Sequence, residues 1–190
     1  MKFVQKEFSY THEEKKSKFI AYLMPYFLFD DVIKKLKNQH PKARHFVYAY
    51  RYLNEFEQIV ENSSDDGEPK GTSGKPCLCV LAGQDLINTA VIVVRYFGGV
   101  KLGTGGLVRA YSDAVNAVIA QANLLAYIKL QTKTLSLDYA QLPPLEYVLK
   151  QLDIAIIEKS FTQEVMLVLQ ASQEQFEALQ IHLPLNTQLL

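Results

Sequence analysis

The chain has 190 residues, 20 basic against 20 acidic side chains and a formal net charge of zero, with 48% hydrophobic and 21% charged residues. That is an ordinary globular composition, long enough for one full domain and a small second one. No apolar run approaches the ~20 residues that cross a bilayer, and the first ten, MKFVQKEFSY, lack a signal-peptide core, so a cytoplasmic protein without a membrane partner is expected.

The charge is unevenly spread. Residues 1–130 carry 17 Lys and Arg against 13 Asp and Glu, whereas residues 131–190 carry 3 against 7. Along the chain, residues 2–10 and 18–26 read as two strands joined by the polar connector THEEKKS, with Pro25 limiting the pairing of the second. Asp30 or Asp31 caps a helix with Val32, Ile33 and Leu36 inward, and His40-Pro41 end it. Residues 44–52, RHFVYAYRY, alternate as a strand, with Phe46, Tyr48, Tyr50 and Tyr52 on one side and Val47, Ala49 and Arg51 on the other. Such an aromatic stripe is either sheet packing or, beside Arg44, His45 and Arg51, a surface on which bases stack.

Residues 54–68 are polar and acidic, and NSSDDGEP reads as a turn-rich, mobile loop. Its carboxylates Asp65, Asp66 and Glu68 suggest either magnesium ligands or an acid–base pair on one side. The other reading is structural: they cap a helix beginning near Ser73 and pair with Lys70, Lys75 or Arg95. That helix runs over about residues 74–83. Cys77 and Cys79 lie in its apolar segment CLCVLA, as expected of buried thiols in a reducing compartment. His12, His40, His45 and His182 form no ligand-spaced pair, so neither metal nor other cofactor is expected.

Residues 89–97 are apolar without alternation and rich in β-branched side chains, the pattern of a strand buried on both faces in the middle of a sheet. A glycine-rich turn follows. A helix then starts near residues 103–106 with Thr104 as its N-cap, burying Leu107, Tyr111, Ala114, Val115, Val118 and Ala122. Neither glycine stretch is a Walker motif: ahead of Gly74-Lys75, Pro69 stands where the first glycine belongs and Pro76 follows Lys75, while the 98–106 loop lacks the Gly-Lys-Ser ending. Nor does it have dinucleotide-fingerprint spacing. The strand, glycine turn and helix leave a candidate anion site at the helix N-terminus, unless the glycines serve the turn alone. Arg44, Lys70, Lys75, Arg95, Lys101 and Arg109 surround it in sequence, and are candidate phosphate contacts if folding gathers them, ordinary surface charges if it does not.

Beyond a boundary near residues 128–132, residues 133–139 alternate as a one-sided strand, and Pro143-Pro144 open a helix with Leu145, Val148, Leu149 and Leu152 inward. Two strands over 154–158 and 165–170 and a helix from about 173 complete a β-α-β-β-α order, half of a ferredoxin-like sandwich whose last strand would lie in residues 184–190.

At DDGEPKGTSGKP and VVRYFGGVKLGTGGLVRAY the chain resembles the YigZ/IMPACT family. The resemblance covers the first domain nearly whole, and it extends to the small C-terminal domain of bacterial members. It implies an α+β protein of two domains: residues 1–130 similar to ribosomal protein S5 domain 2 and elongation factor G domain IV, and residues 131–190 ferredoxin-like, similar to its domain V. It also implies a shared motif surface at Asp65, Asp66, Gly67, Glu68, Pro69, Gly71, Arg95, Tyr96, Phe97, Gly98, Gly99, Lys101, Gly103 and Arg109. Ser73 falls where a small residue is expected; the abbreviated C-terminus departs from a complete second domain. The function implied is control of translation through RNA or ribosome binding. No catalytic residues carry over, and no nucleophile stands beside a base at a recognisable spacing. A nucleotide- or small-molecule-binding enzyme of the S5-like kinase superfold and a protein-interaction module are the alternatives.

Overall fold

The computed structural model describes residues 1–183. These form two compact units, 1–127 and a second beginning at Ile128. Among the described residues, no helix is long and apolar enough to cross a membrane.

The first unit contains strands β1 (Lys2–Phe3), β2 (Phe8–Glu14) and β3 (Ser17–Pro25), helix α1 (Phe29–Gln39), and strands β4 (His45–Leu53) and β5 (Ile59–Ser64). Helix α2 (Gly74–Gly83), strand β6 (Thr89–Tyr96), helix α3 (Gly103–Gln121) and strand β7 (Leu125–Ala126) follow. The main sheet has the order β2-β3-β6-β4-β5 and is antiparallel throughout. Strand β6 lies at its centre, and seven of its eight residues are buried, because helices cover both faces. On one face Phe19, Ala21, Leu23, Val47, Ala49, Val91 and Val93 pack against α2 and α3. On the other, Met24, Phe46, Ala90, Ile92 and Val94 meet Val32 and Leu36 of α1. A residue pattern of period two on each strand therefore sorts into two apolar layers.

Four local features differ from the sequence reading. THEEKKS is mostly strand: β2 runs to Glu14, and the chain reverses at Lys15 and Lys16, with φ of 46° and 65°. That is the left-handed pair of a tight hairpin, formed without the usual glycine or asparagine. The acidic stretch contributes an edge strand, β5, paired to β4 from Ile59 to Ser64. Helix α1 is preceded by Leu28, with Asp30 and Asp31 in its first turn rather than capping it through a side chain. Helix α3 begins behind Leu102, not at a Thr104 cap. In addition, β1 pairs with β7, setting Lys2 opposite Ala126.

The second unit is built from β8 (Leu130–Leu137), α4 (Leu142–Gln151), β9 (Ala155–Phe161), β10 (Val165–Ser172) and α5 (Gln173–Gln180). Its antiparallel sheet has the order β8-β10-β9. Leu135, Leu137, Val165, Leu167 and Leu169 on one face pack against Leu145, Leu149, Phe176 and Leu179 of the helices. Proline sits in the first turn of α4, where no backbone N–H is needed, and Ser172 with Gln175 closes a capping box on α5. The strand expected over residues 184–190 lies outside the described residues.

Candidate nucleic-acid interface

Register fixes which loops meet. Glu14 pairs with Ser17, Lys18 with Tyr96, His45 with Arg95 and Tyr48 with Ser64. The β2–β3 turn, the start of β4, the end of β5 and the end of β6 therefore share one end of the sheet, and the loops leading into α2 and α3 start there.

Loop 65–73 is ordered by its own acids. The Asp65 carboxylate accepts from Gly71 N (2.7 Å), Ser73 N (3.1 Å), Ser73 Oγ (2.7 Å) and Gly74 N (2.8 Å). It thereby occupies the N-terminus of α2, an anion position that is no longer open to a ligand. Burial alone would push the Asp65 carboxyl up, but these bonds outweigh it and hold its pKa below the ordinary carboxylate value. Asp66 accepts from Phe46 N at 2.6 Å, and its carbonyl meets His45 Nδ1 at 2.8 Å. The loop starts at a close approach: a Cβ on Gly74 would come within 2.7 Å of the Ser64 backbone.

Glu68 turns inward. Its Oε1 accepts from Arg95 Nη1 (2.5 Å) and from Tyr111 Oη (2.8 Å), joining the loop to β6 and α3. The Arg95 and Glu68 side chains are 7% and 4% exposed. The guanidinium carbon lies 5.4 Å from the Phe19 ring centre and 5.8 Å from that of Phe97, and Phe19 meets Tyr111 edge-on at 5.0 Å. Burial first, then the Glu68 charge, pushes the Tyr111 hydroxyl up, so it remains a donor. Two expectations are corrected here. Arg95 is not an exposed phosphate contact, and Glu68 belongs to the interior rather than to a motif surface. Their pairing is the structural alternative for the loop acids. Tyr111 was visible in sequence only as one member of an apolar helix face.

The glycine loop 97–102 packs on the hairpin. Gly98 N donates to Ser17 Oγ at 3.1 Å, and a Cβ on Gly98 would lie 2.0 Å from the Lys16 carbonyl carbon. Only glycine allows this approach. Gly99 and Gly103 have φ of 87° and 74° and are exposed. Helix α3 has no side-chain cap and no acid in its first turn among the described residues.

Arg44 precedes β4, Lys70 lies in loop 65–73, Lys75 in the first turn of α2 and Lys101 just before α3, all exposed at this end of the sheet. Arg109 is exposed two turns into α3. None of the five forms an ion pair among the described residues. Asp66, Gly67 and Gly71 are exposed beside them. The aromatic stripe of β4 is packing: Phe46 is buried, and Phe29 of α1 meets the rings of Tyr48 at 5.0 Å and Tyr50 at 5.3 Å. Tyr52 stacks on Tyr26 at 4.1 Å. Arg51 is likewise committed, donating to Glu61 (2.7 Å) and to the Leu86 carbonyl (2.8 Å).

A hollow of about 260 Å³ opens on the flank of this end, lined by His12, Glu14, Lys15, Leu102, Gly106, Arg109, Ala110 and Asp113. Arg109 was the one lining residue among the sequence candidates; the others become neighbours only through the β2–α3 packing.

Comparison with known proteins places these features in a lineage. The model of the Impact N-terminal domain matches residues 15–119, and that of a domain of unknown function (DUF1949) matches residues 135–184. An IMPACT family member of Haemophilus influenzae is 36% identical over 172 residues, 89% of this chain and 84% of that protein. The IMPACT family member YigZ of Escherichia coli is 37% identical over 163 residues, 83% and 78% of the two chains. A solved structure titled only as that of a hypothetical protein superposes with a TM-score of 0.63 at 32% identity, covering 100% of this chain and 95% of its own.

Proposed function

The chain belongs to the IMPACT family, and on that premise we propose that it is a non-enzymatic RNA- or ribosome-binding protein that acts in the control of translation. One observation carries the reading. Arg44, Lys70, Lys75 and Lys101 are exposed at one end of the main sheet without ion-pair partners among the described residues, while the carboxylates of the same loop bond to α2, Phe46 N and Arg95. Glu68 is paired with Arg95, and Asp65 is held on the N-terminus of α2, which leaves four cations against one exposed loop acid, Asp66, a net positive surface that suits a polyanion. The uncapped N-terminus of α3 adds a partial positive charge at the same end. The fold reading belongs with this proposal: the first unit as S5 domain 2-like, and the second, with β8-α4-β9-β10-α5 order, as ferredoxin-like.

The test is binding to ribosomal RNA fragments, transfer RNA and whole ribosomes across a salt series. Four phosphate contacts give log K a slope of about −3 against log salt on single strands. Replacing Arg44, Lys70, Lys75 and Lys101 together with Gln should flatten that slope and abolish the association. Salt-insensitive binding, or an unchanged slope in the fourfold variant, refutes the interface.

A further inference from the structure

The hollow between β2 and α3 has a lining that the RNA reading does not use. Two cations, Lys15 and Arg109, and two carboxylates, Glu14 and Asp113, surround it together with His12, and none of the four charged side chains forms an ion pair among the described residues. Arg109 and Asp113 stand one helical turn apart on α3, where opposite charges ordinarily meet, yet they do not. The helix side of the hollow is thin because Gly106 and Ala110 present almost no side chain. A Cβ on Gly106 would already press on Leu102 Cβ at 3.0 Å. The opposite wall is β2, where His12 and Glu14 share a strand face two residues apart and are half-buried. A volume of about 260 Å³ lies just below the usual range of ligand pockets, room for one small molecule and not for a polymer.

We propose that this hollow binds a phosphorylated ribose, the unit that nucleotides and sugar phosphates share. A phosphate dianion matches the two charges of Arg109 and Lys15 and brings three acceptor oxygens, whereas the carboxylate of an amino acid brings one charge and two. Ionised carboxylates can only accept hydrogen bonds, and the vicinal hydroxyls of ribose offer Glu14 and Asp113 two donors. The inference stands apart from the RNA-binding reading, because none of Arg44, Lys70, Lys75 and Lys101 lines the hollow.

The experiment is calorimetric titration of the full chain, at fixed ionic strength, with ribose 5-phosphate, adenosine 5′-monophosphate, the 2-deoxyribose analogue of each, inorganic phosphate and glycine, the ribo and deoxy forms being compared for whichever ligand binds. Ribose 5-phosphate, adenosine monophosphate or both should bind, the first alone or both assigning the sugar phosphate and the second alone the nucleotide. Inorganic phosphate and the deoxy analogues should bind about tenfold more weakly or worse. Arg109→Gln should weaken every phosphorylated ligand about ten- to hundredfold. Asp113→Asn with Glu14→Gln should close the gap between ribo and deoxy ligands. The fourfold variant at Arg44, Lys70, Lys75 and Lys101 should bind as the parent does, even if it has lost RNA. All these positions are exposed or half-exposed, and an unchanged melting temperature verifies that each variant is folded. Equal affinity for ribo and deoxy forms, equal affinity for phosphate alone, displacement by glycine, indifference to Arg109→Gln, or no heat at millimolar ligand each overturns the proposal.

Discussion

Removing the Glu68 carboxylate should destabilise the first unit more than any other single change to its loops. Arg95, whose side chain is 7% exposed in the parent, loses in Glu68→Ala its one anionic partner among the described residues, and Tyr111 Oη loses its acceptor. The Arg95 Nε is already buried without a hydrogen-bond partner among the described residues, so the loss adds to an existing deficit. Breaking one side of a buried ion pair costs about 3–5 kcal/mol. The Tyr111 bond is not added to this, because the three groups share one oxygen and are coupled. For a unit of this size the loss corresponds to a fall of roughly 10–20 °C in melting temperature, read by calorimetry on the transition of the first unit. Glu68→Gln keeps an acceptor for both donors but not the charge, and should fall between parent and Glu68→Ala. Converting the pair together, Glu68→Leu with Arg95→Met, should recover much of the loss, because no uncompensated charge then remains. A Glu68→Ala protein that melts within about 2 °C of the parent refutes the reasoning, as does a double variant no better than the single.

Gly98→Ala should cost about 2–3 kcal/mol in urea unfolding, since its methyl would have to displace the Lys16 backbone 2.0 Å away; a neutral substitution would mean the hairpin moves freely. Asp65 should make stability depend on acid. Its folded pKa is depressed, so its contribution is complete above the unfolded value of about 3.9 and is lost as pH falls through the folded one. The difference in unfolding free energy between parent and Asp65→Asn should therefore shrink below about pH 4, and a difference constant from pH 7 to pH 3 would contradict the bonding described. Thiol titration should resolve two classes: Cys79 is exposed and reacts at once, whereas burial pushes the Cys77 thiol up, so it should react only at the rate of unfolding. Two equally fast thiols would refute that placement.

The centre of the fold was legible because its signals are local. An unbroken β-branched run marks β6 as doubly covered, prolines place the start of α4, and alternation in β4 separates the two apolar layers that the helices then cover. What escaped was written in long-range register. Lys15 and Lys16 turn left-handed because Glu14 and Ser17 are locked in a ladder, and nothing in their own chemistry announces it. A stretch as polar as NSSDDGEP looks loose until Asp65 reaches α2 and Glu68 reaches Arg95, 27 positions away. Of the sequence candidates, the surface cations were placed by the same logic that missed Arg95: charge shows in a sequence, but whether it is answered from inside does not. The hollow beside α3 could not be read at all, because its two walls are some ninety positions apart.

The short ladder between β1 and β7 gives the order of assembly a direction. Lys2 is held opposite Ala126, and Tyr127 N donates to the Met1 carbonyl at 2.9 Å. Strands β1 and β7 lie at opposite ends of the unit's sequence, so β1 must wait for nearly the whole unit before its neighbour exists, and closure of this seam leaves the two ends of the unit touching. Joining those termini with a few glycines and opening the chain at the Glu55–Gln58 bend should therefore yield a rearranged protein that folds to the same sheet.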